Sequence, residues 1–464
     1  MRFQTFVRVP VCCALVAAWA TIAAAAVKLP AIIGDNMVLQ RDQPVPIWGW
    51  ANKGEEVTVA VAQQSLAAKA DGQGCWKVVL DKLDVGEPLT MTIKDSSGST
   101  LVLKNILVGE VWVGSGQSNM EMSLSSCKNA RQEIAAAKYP KIRLFTVMKT
   151  NAPQPQIDCI GKWAECSPAA VPGFSAAAYF FGRDVFQKLG VPIGLIHTSW
   201  GGTPAQAWTS RKVLESNRVL KPLAQGGSGL YNGMIAPLIP YAIRGAIWYQ
   251  GESNIGRAYQ YRTLFPAMIA NWRADWGQGD FPFGFVQIAP FNYGRQPPAM
   301  CAELWEAQLL TLKASPNTGM AVTMDIGELT NIHPKNKQDV GKRLALWALA
   351  KVYGQDLVYS GPIYKSTAVE GQKIRLQFDH VGSGLAASDG KPLEDFTIAG
   401  ADQKFVPATA EIDGNSILVH SDQVTEPVAV RYAWRKDAMP NFANKEGLPA
   451  SPFRTDTWKG LTQP

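Results

Sequence analysis

The stretch Asn105-Ile-Leu-Val-Gly-Glu-Val-Trp-Val-Gly-Ser-Gly-Gln-Ser-Asn-Met-Glu-Met122 decides the fold. Residues 106–113 form an apolar run rich in β-branched side chains and predict a buried strand. Gly114, Ser115 and Gly116 interrupt it, and Ser118 and Asn119 suit the start of a helix. A strand, a glycine turn and a helix start place a small side chain at the carboxyl edge of a sheet, where open α/β sheets bind ligands. A serine at that edge, with backbone N–H groups facing the same point, supplies both needs of acyl transfer: a nucleophile and donors for an oxyanion. The pattern departs from the Gly-x-Ser-x-Gly elbow, because Met120 stands where the second glycine would be. Taken alone, Ser115 and Ser118 fit equally well as plain turn residues.

Outward from this stretch, residues 105–350 alternate strand and helix. Apolar strand candidates lie at 106–113, 142–147, 193–198, 245–249, 283–288 and 320–324, with helical stretches at 176–189, 259–276, 301–314 and 339–352. Such alternation predicts an α/β domain, a parallel sheet with helices on both faces, over 105–354. Residues 27–104 carry short strands separated by Gly- and Asp-rich turns and predict a small β-sandwich; 355–464 return to β. The loops at 151–173 and 222–229 are expected on the surface.

Residues 1–26 have the pattern of a cleavable secretory signal: Arg2 and Arg8, an apolar run, then an alanine-rich end. The mature chain is therefore expected outside the cytoplasm, secreted or periplasmic, with no stable membrane insertion, since no later stretch is long and apolar enough to span a bilayer. Composition is ordinary for a globular protein, 47% hydrophobic and 18% charged over 464 residues. The net charge of +7 comes without a basic cluster or arginine-rich helix, which argues against nucleic acid as a partner. Fifteen tryptophans and thirty prolines suit a loop-rich, aromatic, carbohydrate-active protein. No pattern marks an oligomer interface. After signal removal Cys75, Cys127, Cys159, Cys166 and Cys301 remain; Cys159 and Cys166 are close enough in sequence to form a disulfide, and the odd number leaves at least one thiol over. With four histidines and no zinc-ligand spacing, neither a metal nor a cofactor is expected.

Four stretches each follow a strand candidate and so should share one sheet edge. The first is Gly116-Gln-Ser-Asn-Met120. The second, Thr198-Ser-Trp-Gly-Gly-Thr203, has two glycines that let backbone approach a ligand; the N–H of Gly201 or Gly202 suits an oxyanion, and a plain strand–helix turn suits it too. The third, Trp248-Tyr-Gln-Gly-Glu-Ser-Asn254, offers the amides of Gln250 and Asn254, while Glu252 fits either as a group orienting neighbouring N–H donors or as a structural carboxylate. Gln117, Gly251 and Glu252 join Gln250, Asn254, Gly201 and Gly202 as oxyanion or substrate-binding candidates. The fourth, 325–338, carries His333 in a polar loop before a helix, suited to general-base work. His197 ends an apolar strand and reads as core or as a residue just behind the site; His380 and His420 fall in the β tail. Asp325 is the preferred carboxylate to orient His333, with Glu328 or a backbone carbonyl as alternatives.

Taken together, Gly109-Glu-Val-Trp112, Gly116-Gln-Ser-Asn-Met120, Trp200-Gly-Gly-Thr203 with Ala207-Trp208, Trp248-Tyr-Gln-Gly-Glu-Ser-Asn254 and Ile332-His-Pro-Lys-Asn-Lys-Gln338 resemble the sialate O-acetylesterase family of the SGNH hydrolases. The resemblance extends to Asp35-Asn-Met-Val-Leu-Gln-Arg41 near the start and Asn444-Lys-Glu-Gly-Leu-Pro-Ala-Ser-Pro-Phe-Arg-Thr455 near the end. It implies a flavodoxin-like sheet and removal of acetyl groups from sugar hydroxyls, typically those of O-acetylated sialic acid. Carried over, Ser118 is the nucleophile and His333 the base; the N–H of Ser118, a glycine at 201 or 202 and a side-chain amide from 250–254 form the oxyanion hole. Many SGNH enzymes place an aspartate three residues before the histidine; Thr330 stands there here, so a Ser–His dyad is an alternative to a triad. Two other functions compete: acetyl removal from plant cell-wall polysaccharide such as xylan, and non-catalytic glycan binding.

Overall fold

The computed structural model describes Met1 and residues 27–464; the expected signal segment lies, apart from Met1, outside the described residues. The N-terminal part runs β1 (Val38–Gln40), β2 (Val45–Trp50), β3 (Glu56–Val61), β4 (Gln64–Lys69), β5 (Cys75–Leu80) and β6 (Leu89–Asp95). Buried and outward-facing residues alternate along β2, β3 and β5, the mark of sheets with one face on a core.

Next comes β7, Thr100–Gly116, 17 residues long. The expected junction at 104/105 falls inside it. Its first part pairs antiparallel with β6; its second part is buried throughout and pairs in parallel on both sides. The chain continues through α1 (Ser118–Glu121), α2 (Ala130–Ala136), β8 (Tyr139–Thr146), β9 (Trp163–Cys166), α3 (Ala176–Leu189), β10 (Ile193–Ser199), α4 (Arg211–Ser216), β11 (Gly245–Tyr249), α5 (Ala258–Trp276), β12 (Phe283–Val286), α6 (Ala299–Ala314), β13 (Thr318–Ala321) and α7 (Lys337–Lys351). The central order is β13-β12-β11-β7-β10-β8-β9, parallel except for β9, which lies antiparallel on β8 inside a segment expected to be loop.

Strand alternation places the helices. Trp112 meets Phe181 of α3 and Trp347 of α7 on one face of the sheet; Trp248, in register with Ser115 on the opposite face, meets Phe265 and Trp272 of α5. Helices therefore cover both faces. Local sequence fixes their ends: Ser175 caps α3 by accepting the N–H of Ala178 at 3.2 Å, Gly190 closes it in the left-handed conformation, and Asn336 caps α7 through the N–H of Asp339 at 3.2 Å.

The terminal motifs are anchors. Strand β1 adds in parallel to β7, and Gln40 accepts the N–H of Val111 at 2.7 Å. Glu110, fully buried, is neutralised by Arg41 at 2.5 Å and Arg244 at 2.6 Å. At the other end Ser451 accepts from Gln287 at 2.9 Å and Arg454 pairs with Glu306 of α6 at 2.9 Å. The intervening C-terminal region carries a four-stranded antiparallel sheet of Ile363–Glu370, Lys373–Asp379, Ser416–His420 and Thr409–Asp413. Cys159 and Cys166 are not joined: both are buried free thiols whose ionisation burial pushes up to about 12. No helix among the described residues is long and apolar enough to cross a membrane.

Gly116 ends β7 at φ +141, with a Cβ at that position 2.2 Å from the carbonyl oxygen of Tyr249. Gly116→Ala should lower stability by at least about 2 kcal/mol, measured as the shift in thermal midpoint; an unshifted midpoint would show that this close approach is not needed.

Candidate active site

Strands β7, β10 and β11 run parallel, so the segments after them emerge at one edge. Strand β7 lies between β10 and β11, the arrangement that opens a crevice at the carboxyl end of an α/β sheet. The backbone is stitched across it: Gln117 N–H donates to Tyr249 O at 3.0 Å and Trp200 N–H to Gly116 O at 3.1 Å. Ser118 begins α1 just above.

A cavity of about 680 Å³ opens there, lined by Ser118 and His333 together with Glu121, Lys149, His197 and Ser199 among others. Ser118 and His333 thus meet in one cavity from positions 215 residues apart in the sequence. Gly201 sits beside the serine: a Cβ built on it would lie 3.2 Å from Ser118 Cβ. Its N–H donates to Glu121 Oε2 at 2.6 Å, and Lys149 holds the other oxygen of that carboxylate at 2.5 Å while lying over the Trp200 ring. A carboxylate of the chain itself therefore occupies the position that an N–H at 201 would offer to an incoming anion. Gly202 makes its turn at φ +73 and does not line the cavity.

The third stretch stands outside the lining of the cavity. None of Gln117, Gln250, Gly251, Glu252 and Asn254 lines it. Asn254 is buried; it accepts the N–H of Ala205 at 2.9 Å and the amide of Gln250 at 2.7 Å, and donates to Gln206 at 3.2 Å. Gln250 is fully buried and also donates to Thr203 O at 3.3 Å. Gln117 accepts from the N–H of Ser253 at 3.3 Å. The amides of Gln250 and Asn254 brace the loop after β10 that carries Gly201, and Gln117 braces the turn after β11.

Asp325 is not joined to His333. Both its oxygens lie 2.6 Å from the Arg343 guanidinium of α7. Glu328 accepts from Asn331 at 3.1 Å and from the N–H of Lys335 at 2.6 Å, and so braces the loop. The loop turns back on itself at His333, whose N–H donates to Asn331 Oδ1 at 3.0 Å and whose carbonyl accepts from Asn331 at 2.9 Å.

A buried polar chain links three of the four stretches. Asn119 donates to Glu252 at 2.6 Å and to Ile332 O at 2.9 Å, and accepts from Lys337 Nζ at 2.7 Å. Lys337 is fully buried, donates also to Pro334 O at 2.8 Å and lies over the Tyr249 ring. Burial pushes its ammonium down to about 7, against the opposing pull of Glu252 and Glu328. Burial likewise raises the Glu252 carboxyl. His333 is lowered from 6.5, first by burial and then by the Lys337 charge, with Glu121 acting the other way.

Sequence alone assigned no site role to Glu121, Lys149, Asn119 or Lys337. Asn119 and Lys337 were inside quoted motifs; a polar residue next to the serine and a lysine four after the histidine were the available signals. His197 was expected in the core or just behind the site. It is buried, with Phe174 edge-on at 5.5 Å, but it also lines the cavity and its Nε2 lies 2.6 Å from Ser199 Oγ. Burial pushes it down to about 4, so it stays neutral. No group of three or more His, Cys, Asp or Glu able to hold a metal occurs among the described residues.

With this geometry in place, the likenesses to known proteins are specific. The family described as "Carbohydrate esterase, sialic acid-specific acetylesterase" matches residues 108–350. The human sialate O-acetylesterase is 31% identical, over 92% of this chain and 92% of its own; the orangutan (Pongo abelii) protein of that name gives the same figures. A crystal structure of a carbohydrate acetylesterase from Xanthomonas citri superposes with a TM-score of 0.89 at 43% identity, covering 93% of this chain and 100% of that one. The chain is a carboxylic ester hydrolase. Within that class it belongs to the family of sialic acid-specific acetylesterases among the carbohydrate esterases.

Proposed function

We propose that the chain removes O-acetyl groups from sugar hydroxyls by two-step acyl transfer, with Ser118 as nucleophile and His333 as general base. The observation that carries this is that Ser118 and His333 line one cavity, with the Gly201 backbone packed beside Ser118. His333 takes the hydroxyl proton as Ser118 Oγ attacks the acetyl carbonyl. The oxyanion settles on the N–H groups of Ser118 and Gly201, the latter released as Glu121 swings towards Lys149. His333 then protonates the departing sugar oxygen, leaving acetyl-Ser118. Water gives a proton to His333 and attacks the acyl carbon; acetate leaves and Ser118 recovers its proton. Labelling with a serine-directed covalent inhibitor and mapping by mass spectrometry tests the assignment: turnover lost with the label at Ser118 supports it, and a folded chain with neither turnover nor label overturns it.

In this reading the third stretch and the Asn119 chain are scaffold, the architecture is the flavodoxin-like SGNH one over 105–354 with β regions at 27–104 and 355–464, and the mature chain works outside the cytoplasm, on the signal pattern of residues 1–26. No acid is assigned to His333, which acts in a dyad. Asp325→Asn is therefore expected to change kcat less than about tenfold while lowering stability, whereas loss of a true triad carboxylate function costs about 10⁴; kcat and thermal midpoint of the variant check this.

O-acetylated sialic acid is the substrate that the family supports. A neutral acetylated polysaccharide such as xylan is favoured by one observation: among the described residues no arginine lines the cavity, and the one lysine that does, Lys149, is paired with Glu121. Arg273 is buried against the carbonyls of Phe281 and Pro316, and Arg257 lines a different cleft. Relative kcat/KM on the two acetylated sugars decides between them.

A further inference from the structure

A second cleft, of about 470 Å³, lies between the N-terminal β region and the loops of the hydrolase region, and it shares no lining residue with the cavity of Ser118. Its floor comes from β2 paired with β5. Antiparallel register sets Trp48 opposite Lys77 and Trp50 opposite Cys75, so these four side chains share one face, while Val45 and Ile47 point into the core. Trp48 and Trp50 stand two residues apart, about 6.8 Å along a strand. Both are only half-buried. The facing wall brings Gln156 and Ile157, the latter 70% exposed.

The rim is polar and offers acceptors. Asp71 accepts the N–H groups of Gln73 and Cys75 with one oxygen, at 2.8 and 2.9 Å, leaving the other towards solvent. Gln156 donates its amide N–H to Gln154 O at 2.9 Å, leaving its amide oxygen. Asp71 and Lys77 are of opposite charge and both exposed, so the cleft has no excess charge for an anionic ligand. Flat indoles with hydroxyl-binding acceptors around them, and no net charge, match the apolar faces and hydroxyl edges of uncharged pyranose rings.

We propose that this cleft is a second carbohydrate subsite, gripping an uncharged stretch of glycan chain through Trp48 and Trp50. It rests on a carbohydrate being the substrate but not on the chemistry assigned to Ser118, and binding measured without turnover separates the two. Its effect is to hold a polymer near the enzyme while the acetyl group is cut elsewhere, so it acts on polymeric and not on small substrates.

Unacetylated xylohexaose is the probe, followed by calorimetry and tryptophan fluorescence on the full mature chain. Cys75, the one exposed thiol among the described residues, allows the cleft to be blocked without mutation. Wild type should bind xylohexaose, and coupling a bulky maleimide to Cys75 should abolish that binding. Trp50→Ala should weaken it about fivefold or more, with Trp50→Phe retaining part of it. Both modified proteins should hydrolyse a small activated acetyl ester as wild type does, while KM for acetylated xylan rises. No xylohexaose binding by wild type, or equal binding after Cys75 is blocked, would overturn the proposal. Sialyllactose binding as well as xylohexaose would overturn the preference for an uncharged chain.

Discussion

Ser118→Ala should lower kcat on an acetyl ester by about 10⁴-fold or more, with the fold intact. The size follows from the loss of covalent chemistry: without the hydroxyl, the acetyl group must be attacked directly by water, and only binding and the oxyanion donors still help. His333→Ala should cost a similar factor, and the double variant little more than either single one, because the two side chains act as a unit. Neither variant should unfold the protein. Ser118 and His333 are half-buried and line open space, and the hydrogen bonds that hold the His333 loop run through its backbone and Asn331. Steady-state kinetics with a melting curve on the same sample is the measurement. Full activity in a folded Ser118→Ala chain would remove Ser118 as nucleophile and direct attention to Ser199, whose hydroxyl already contacts His197 in the same cavity at 2.6 Å.

The pH dependence has a fixed sign. His333 works as a base only when neutral, and its ionisation lies below 6.5 in the folded chain. Activity should therefore persist at neutral pH and fall as pH drops through a value under 6.5, read from the acid limb of kcat/KM. An acid limb above 6.5 would mean that a carboxylate faces His333 more closely than the Lys337 ammonium does.

The layered hydrolase region was legible in the sequence because its period is strong. The helix at Ala176–Leu189 and the strand at Gly245–Tyr249 match the expected spans residue for residue. What escaped was the part set by long-range pairing. Strand β9 reads as loop because its four residues gain strand geometry only from β8 beside them. The expected junction at 104/105 falls within β7 because one long strand pairs first with β6 and then with β10 and β11, and hydrophobic patterning shows only where its burial changes. The motifs were visible, but their division of labour was not. Gln250 and Asn254 have the side chains an oxyanion hole would use, yet their amides satisfy Thr203 and Ala205. Asp325 has the right charge and nearly the right place, but Arg343, one turn and more along α7, takes both its oxygens. Residue type made Ser118 and His333 the candidates; which neighbours face them depends on turn geometry that no local pattern encodes.

The largest structural effect is expected from Lys337→Met. The ammonium is the hub of the buried chain: it donates to Asn119 Oδ1 at 2.7 Å and Pro334 O at 2.8 Å, and lies one amide away from Glu252. Methionine fills much of the volume but leaves two acceptors without a donor and the Glu252 carboxylate without a cation. Removing one partner of a buried ionic group costs about 3–5 kcal/mol. Two readouts go beyond simple loss of stability. The ammonium depresses His333, so its removal should move the acid limb of kcat/KM upwards towards 6.5. It also titrates itself: its folded value of about 7 lies below the ordinary 10.5, so the unfolded chain binds more protons between those limits. Wild-type stability should therefore gain from this group as pH rises from about 7 to 10.5, with the full cost of the buried charge present below 7. Lys337→Met should lose that rise, whereas Lys337→Arg, still charged across the range, should lose it too while keeping the acid limb low. Chemical denaturation at several pH values, alongside pH–rate profiles, separates the two roles. An unmoved acid limb in Lys337→Met, with the expected loss of stability, would leave Lys337 a strut for Asn119 and remove it from the control of His333.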